Sequence, residues 1–307
     1  ADVRLNVSIQ LKSDTKWAKA GFEVKHEQFA INDRLATAFS PMSLKTGREA
    51  DMKEALEWFD IVKPHFFRAP LDNDKGFGNW IAKDWKNNRL DSPETATVKP
   101  LDAKRNADGT VTVTTTQECR YANGKITTDY VYTMDADGSV DFSATYTPEG
   151  QLPPLPCIGN TFLMDKDMTR LSWYGQGLQD SYVDRLEATG IGRWTSSVDQ
   201  EYVHYPRPQS SGNHEQTVTL SLTDAKGRGY TVTTANATPF AFSALPYSEH
   251  QLSTVAHDCD LHTENNVFLN IDAAMMGLGN SSCGPGVLTK YSIPQKQHSL
   301  HVMFKRK

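Results

Sequence analysis

Asp108-Gly109-Thr110-Val111-Thr112-Val113-Thr114 opens the stretch of sequence that decides the fold. Two more turn-like dipeptides follow it, Asn123-Gly124 and Asp137-Gly138. Each pair suits a two-residue hairpin turn with positive φ. Their spacing leaves room for a strand of about six residues on either side of every turn. Between the turns, residues alternate: Ile126, Thr128, Tyr130 and Tyr132, then Val140, Phe142, Ala144 and Tyr146. Alternation with period two puts one face on a core and predicts an antiparallel meander.

The pattern extends outward from there. Threonine is abundant throughout, often in period-two runs that favour strands. Val218-Thr219-Leu220-Ser221-Leu222, Tyr230-Thr231-Val232-Thr233, Phe240-Ala241-Phe242-Ser243-Ala244 and Val267-Phe268-Leu269-Asn270-Ile271 read as short strands, and 288–293 and 299–304 as two more. Helical periodicity is confined to 49–59 and 79–86. An all-β sandwich of large size is therefore expected over 35–307, with no internal repeat. Residues 1–34 differ, with strand-like runs at 3–11 and 21–31 joined by Ser13-Asp14-Thr15-Lys16-Trp17. Two strands are marginal alone, so they are expected to finish a preceding sandwich domain. The chain starts with Ala1 rather than Met, almost inside a strand, and shows no basic segment followed by an apolar run. The expectation is an excised fragment without a signal peptide.

Composition excludes several function classes. Across 307 residues, 32 Lys+Arg face 37 Asp+Glu, a net charge of −5 that argues against a nucleic-acid partner. No run approaches the roughly 20 apolar residues that span a bilayer, which argues against a membrane partner. Four cysteines (Cys119, Cys157, Cys259, Cys283) form no C-x-x-C pair and read as unpaired, mostly buried thiols rather than zinc ligands.

Some constellations carry possible chemistry. The run from Arg68 through Asp72, Asn73, Asp74, Gly76, Phe77 and Gly78 packs carboxylates and glycines together. It reads either as a self-satisfied turn or as a mobile polar loop near a sugar. An EF-hand is excluded, because Lys83 stands where the bidentate Glu belongs. Trp173 to Arg185 mixes aromatics, glycines and Asp184-Arg185, which serves equally as a structural ion pair. His257 reads as a hydrogen-bonded framework residue. Nucleophile-elbow, zincin and P-loop motifs are absent.

These pieces, taken in order, resemble the C-terminal portion of β-galactosidases of glycoside hydrolase family 2. The end of the penultimate domain is matched by Trp17-Ala18-Lys19-Ala20-Gly21-Phe22-Glu23-Val24 with Glu27-Gln28-Phe29. The final small-chain domain is matched by Phe67-Arg68-Ala69-Pro70-Leu71-Asp72-Asn73-Asp74-x-Gly76, Gly175-x-Gly177, Tyr182-x-Asp184-Arg185, Pro208-Gln209-x-x-Gly212-Asn213 and Leu269-Asn270-x-Asp272. The resemblance implies a galactose-mutarotase-like supersandwich preceded by the last strands of an immunoglobulin-like sandwich. It also implies a retaining hydrolase of terminal β-D-galactosyl residues whose two catalytic glutamates lie in a barrel upstream, not in this chain. Magnesium and sodium would be held mainly by that barrel, and none by this fragment. Expected partners are a β-galactoside, the upstream domains and further copies of the parent, in a bacterial periplasm or cytoplasm.

By the same resemblance, Asp72, Asn73, Asp74, Gly76, Phe77, Gly78, Asn79 and Asn236 would wall or gate the sugar site, while Arg68, Tyr182, Asp184, Arg185, Gln209 and Asp272 form the structural motif. Departures are visible. Gly177-Leu178-Gln179-Asp180-Ser181-Tyr182 replaces Gly-Pro-x-Glu-Asn-Tyr, and Gln209-Ser210-Ser211-Gly212 replaces Gln-Glu-Asn-Gly. Asn236 stands where better-known members place a tryptophan under the leaving group, which puts a preference for lactose in doubt. Two rival readings remain. One is a stand-alone carbohydrate-binding module of the same fold. The other is an aldose epimerase using Glu249 and His250, which adjacency on a strand would point to opposite faces.

Overall fold

A computed structural model describes residues 2–35, 42–76 and 81–307. The meander forms as the alternation predicts, from β4 (Glu94–Arg105), β5 (Val111–Tyr121), β6 (Gly124–Met134) and β7 (Val140–Gly150). Each of β5, β6 and β7 is 11 residues long, well beyond the expected six, because the turns use so few residues. The turn chemistry also differs from expectation. Asn106 N donates to Thr110 O at 2.8 Å and Gly109 N to Asn106 O at 3.1 Å, with Gly109 at φ +91°. Asp135 and Gly138 repeat the pattern at φ +75°, and Asp224 and Gly227 at +79°. This is a type I turn closed by a left-handed glycine, whose hand of twist suits the flanking strands. At the middle hairpin neither Asn123 nor Gly124 has positive φ. The chain reverses over Ala122-Asn123, and Gly124 already lies in β6 opposite Tyr121. Glycine is needed there for space, since a Cβ would sit 2.4 Å from Glu149 O.

The remaining strands are β3 (Val62–His65), β8 (Cys157–Asp165), β9 (Arg170–Gly177), β10 (Gly190–Ser197), β11 (His214–Thr217), β12 (Thr219–Thr223), β13 (Gly229–Thr234), β14 (Phe240–Leu245), β15 (Asn266–Met275) and β16 (His298–Arg306). They build a nine-stranded sheet, β10-β9-β12-β13-β16-β7-β6-β5-β4, and a five-stranded sheet, β11-β14-β15-β8-β3. Every strand pairing among the described residues is antiparallel, so the large domain is an all-β supersandwich. Its core is aromatic. Helix α1 (Met52–Trp58), capped by the Asp51 carboxylate on Lys53 N and Glu54 N, delivers Trp58 between the sheets. Trp58 lies 5.1–6.1 Å from the rings of Tyr132, Phe142, Phe162 and Phe304. Tyr132 Oη donates to Ala55 O at 2.7 Å and Tyr146 Oη to Asn160 Oδ1 at 2.6 Å, whereas Trp58 Nε1 is buried without a hydrogen-bond partner among the described residues.

Two strands, β1 (Val3–Gln10) and β2 (Glu23–Asn32), form a separate hairpin. It is pinned to the edge of the large sheet, where Gln28 Nε2 donates to Ile191 O and Gln28 Oε1 accepts from Ile191 N, both at 2.9 Å. Leu5, Val7, Ile9, Val24, Phe29 and Ile31 remain exposed on it.

Four local expectations are corrected. Residues 288–293 contain a 3-10 turn, Thr289–Tyr291, instead of a strand. Glu249 and His250 open a helix, Glu249–Thr254, because Ser248 Oγ accepts from Gln251 N and caps it, so strand alternation does not apply to them. His257 is exposed, and of the four free thiols only Cys119 and Cys157 are buried.

Candidate functional site

Strand alternation gives the five-stranded sheet two faces. Ile158, Phe162, Leu269, Ile271 and Phe242 point into the core. Their neighbours Cys157, Asp272 and Ala241 point the other way, where loops cover them. The first covering loop leaves β3 and runs to the one-turn helix α2 (Asp72–Lys75). Arg68, fully buried, holds it: Nη2 donates to Asp74 Oδ1 at 3.0 Å and Nη1 to Met276 O at 3.0 Å, and the guanidinium lies 5.8 Å from the Trp85 ring. Asp74 Oδ2 accepts from Leu71 N at 2.9 Å. A second segment follows β15. Asn73 Nδ2 donates to Gly279 O at 2.7 Å, and Asn73 Oδ1 accepts from Ser282 Oγ at 2.6 Å.

A third segment clamps the same backbone. Asp184 accepts from Leu278 N at 3.0 Å and Gly279 N at 2.9 Å, and Arg185 Nη2 donates to Gly279 O at 2.7 Å. Asp184 and Arg185 also pair with each other at 3.1 Å, as the structural reading of the sequence expects. Gln209 arrives from a fourth segment, accepting from Asp72 N at 3.0 Å and donating to Asp72 Oδ2 at 3.3 Å. Glu249 completes the frame by accepting from Ala69 N at 2.5 Å and Ser210 Oγ at 3.0 Å. A cavity of about 190 Å³ opens beside it, lined by Asn73, Asp74, Ile81, Met276, Leu278 and Ser281.

The structure thus brings Arg68, Asp72, Asn73, Asp74, Gly76, Asp184, Arg185 and Gln209 together. Tyr182 and Asp272 lie deeper, against the sheet, with Tyr182 packed on Cys157, Ala241 and Met275. Asn236 stands apart in the exposed turn after β13, where its Oδ1 accepts from Thr238 N and Thr234 Oγ1. Phe77, Gly78 and Asn79 lie outside the described residues.

Burial sets the protonation of this layer. Glu215, which accepts from Asn213 Nδ2 at 3.1 Å, is pushed up to about 8 by burial, with the nearby charges of Asp272 and Asp184 adding to the rise. Burial likewise raises Glu249 and Asp272, opposed in both by the charge of His65.

Against known proteins, the family description "Beta galactosidase small chain" matches residues 38–304. The chain belongs to this family. A β-galactosidase of Photobacterium profundum is 26% identical over 99% of this chain, and β-galactosidase BgaC of Bifidobacterium adolescentis is 29% identical over 98%. The chain spans about a third of either relative, 32% of each. Among solved structures, a putative aldose 1-epimerase from Escherichia coli K12 aligns with 68% of this chain and 69% of its own, at 12% identity and a TM-score of 0.33.

Within this small-chain domain, Gly76 shows why its place takes no side chain. Its φ of −51° is open to any residue, but a Cβ would meet Ser281 O at 1.9 Å. Gly76→Ala is expected to lower unfolding free energy by about 1–3 kcal/mol, as overpacking against backbone does, read from urea unfolding. No change would mean that the 279–282 segment yields freely.

Spacing along the sequence missed one arrangement. His65, Cys157 and Asp272 converge on the outer face of the sheet although 92 to 207 positions separate His65 from its partners. They form the one cluster of three such donors among the described residues. A thiol donor suits soft cations, so the cluster does not fit magnesium or sodium, which take oxygen ligands.

Proposed function

We propose that this chain is the C-terminal part of a retaining β-galactosidase, walling one side of the galactose pocket while two glutamates of an upstream barrel carry out hydrolysis. The observation that carries this reading is the framework around residues 68–76. Its charged side chains are spent within the framework: Arg68 on the Asp74 carboxylate and Met276 O, Asp184 on the backbone N–H groups of 278–279, Glu249 on Ala69 N. Retaining hydrolysis needs two carboxyl groups about 5 Å apart and facing a sugar. Carboxylates occupied in this way position a surface and perform no chemistry.

On this reading Asn73 and Gly76 anchor the base of a gate that begins at Gly76 and closes over bound sugar, improving orientation and excluding water. Upstream domains cover the apolar side chains that the hairpin exposes. The test is hydrolysis of p-nitrophenyl β-D-galactoside by the 307-residue chain and by a polypeptide that carries the upstream domains as well. Turnover only by the longer protein is the expected result. Turnover by the chain alone would overturn the division of labour, and tight galactose binding by the chain alone would favour a binding module.

A further inference from the structure

Gly159, the third residue of β8, has a neighbour on each side: His65 of β3 and Asp272 of β15 are both paired with it. A Cβ on Gly159 would lie 2.3 Å from Asp272 Oδ1. The missing side chain leaves a recess over the strand, into which the His65 and Asp272 side chains lean. Cys157, two residues earlier on β8, shares their face. His65 Nδ1 lies 2.7 Å from Asp272 Oδ1, and His65 Nε2 lies 3.8 Å from Cys157 Sγ. All three are buried, with Asp272 and Cys157 at 0% exposure. Asp272 Oδ2 is buried and has no hydrogen-bond partner among the described residues.

We propose that Cys157, His65 and Asp272 form a binding site for one thiophilic metal ion of the zinc class. Cys157 Sγ and His65 Nε2 are the direct ligands. With bonds of about 2.3 Å to sulfur and about 2.0 Å to nitrogen, two such ligands on a tetrahedral zinc lie roughly 3.6 Å apart. The observed 3.8 Å needs only a small adjustment. Asp272 is a positioning residue: its Oδ1 accepts a hydrogen bond from His65 Nδ1–H, fixing the ring so that Nε2 faces the metal, as carboxylate–histidine–metal arrangements do. Its free Oδ2 is left for a metal-bound water. A cavity of about 250 Å³ lies against His65 and Glu249 on this side of the sheet.

The test is titration of the full chain with zinc chloride by calorimetry, and with cadmium chloride by its thiolate charge-transfer absorbance. Cys259→Ser/Cys283→Ser is used as the background, since those two thiols are exposed. One equivalent should bind per chain, persist in Cys119→Ala, vanish in Cys157→Ser and His65→Gln, and weaken about 10- to 100-fold in Asp272→Asn. If Cys157→Ser or His65→Gln fails to fold, cadmium absorbance in the background chain and in Cys119→Ala still decides the matter. Absence of a thiolate band, its loss with Cys119→Ala, or its survival in a folded Cys157→Ser would overturn the site.

Discussion

Arg68→Ala lowers the unfolding free energy by about 3–5 kcal/mol, the cost of stranding one member of a buried ion pair. The side chain is fully buried and Asp74 is 1% exposed, so losing the guanidinium leaves a poorly solvated carboxylate without its countercharge. Asp74 would keep only Leu71 N at 2.9 Å, and Met276 O would lose its donor. Arg68→Lys is not a conservative repair. A single ammonium cannot span Asp74 and Met276 from the position of a planar fork. Replacing both partners with apolar residues, Arg68→Met with Asp74→Leu, should recover a large part of the loss, because removing a buried pair together costs far less than halving it. Urea unfolding of the two single variants and the double variant measures this directly. A loss below about 1 kcal/mol for Arg68→Ala would show that Asp74 finds another partner or water.

The second large effect is a dependence on pH. Glu215 has a folded-state value of about 8, against an ordinary value of 4.5. In the folded chain it stays protonated below 8, while in the unfolded chain it ionises above 4.5. Its contribution to stability is therefore complete below pH 4.5, declines by roughly 1.4 kcal/mol per unit up to pH 8, and is gone above that. The whole span amounts to about 5 kcal/mol. Glu215→Gln removes the proton exchange and keeps an acceptor for Asn213 Nδ2. Its melting temperature should exceed that of the parent at pH 8–9, with the difference narrowing towards pH 5. Parallel melting curves across that range would show that Glu215 is solvated. Glu249 and Asp272, also raised by burial, push the parent in the same direction.

Much of the fold was legible because its signals are local. Alternation through β5, β6 and β7 reports one buried face directly, and Trp58 sits where a short helix was expected. The failures are local as well. Leu288, Tyr291 and Ile293 imitate a strand, yet Leu288 is 55% exposed and the segment turns. Glu249 was read without the Ser248 cap that starts its helix. The candidate site was legible as polar residues in order along the chain, but not as a buried scaffold. Nothing in Arg68-Ala69-Pro70-Leu71-Asp72-Asn73-Asp74 says that Met276 and Gly279 will lie within hydrogen-bond reach. The cluster at Gly159 was wholly illegible, since sheet order alone makes neighbours of residues 65, 157 and 272.

On the function proposed above, the 68–76 framework positions a wall of a galactose site. The measurement that tests it most directly is kcat/KM for p-nitrophenyl β-D-galactoside in the polypeptide carrying the upstream domains, with and without Asn73→Ala, alongside the melting temperature of each. Asn73 ties the helix Asp72–Lys75 to Gly279 O and Ser282 Oγ from a half-buried position. The account predicts a fall in kcat/KM of at least about tenfold, in keeping with the rate lost when a positioning contact slips, with a melting temperature close to the parent's. An unchanged kcat/KM in a folded Asn73→Ala protein would contradict it.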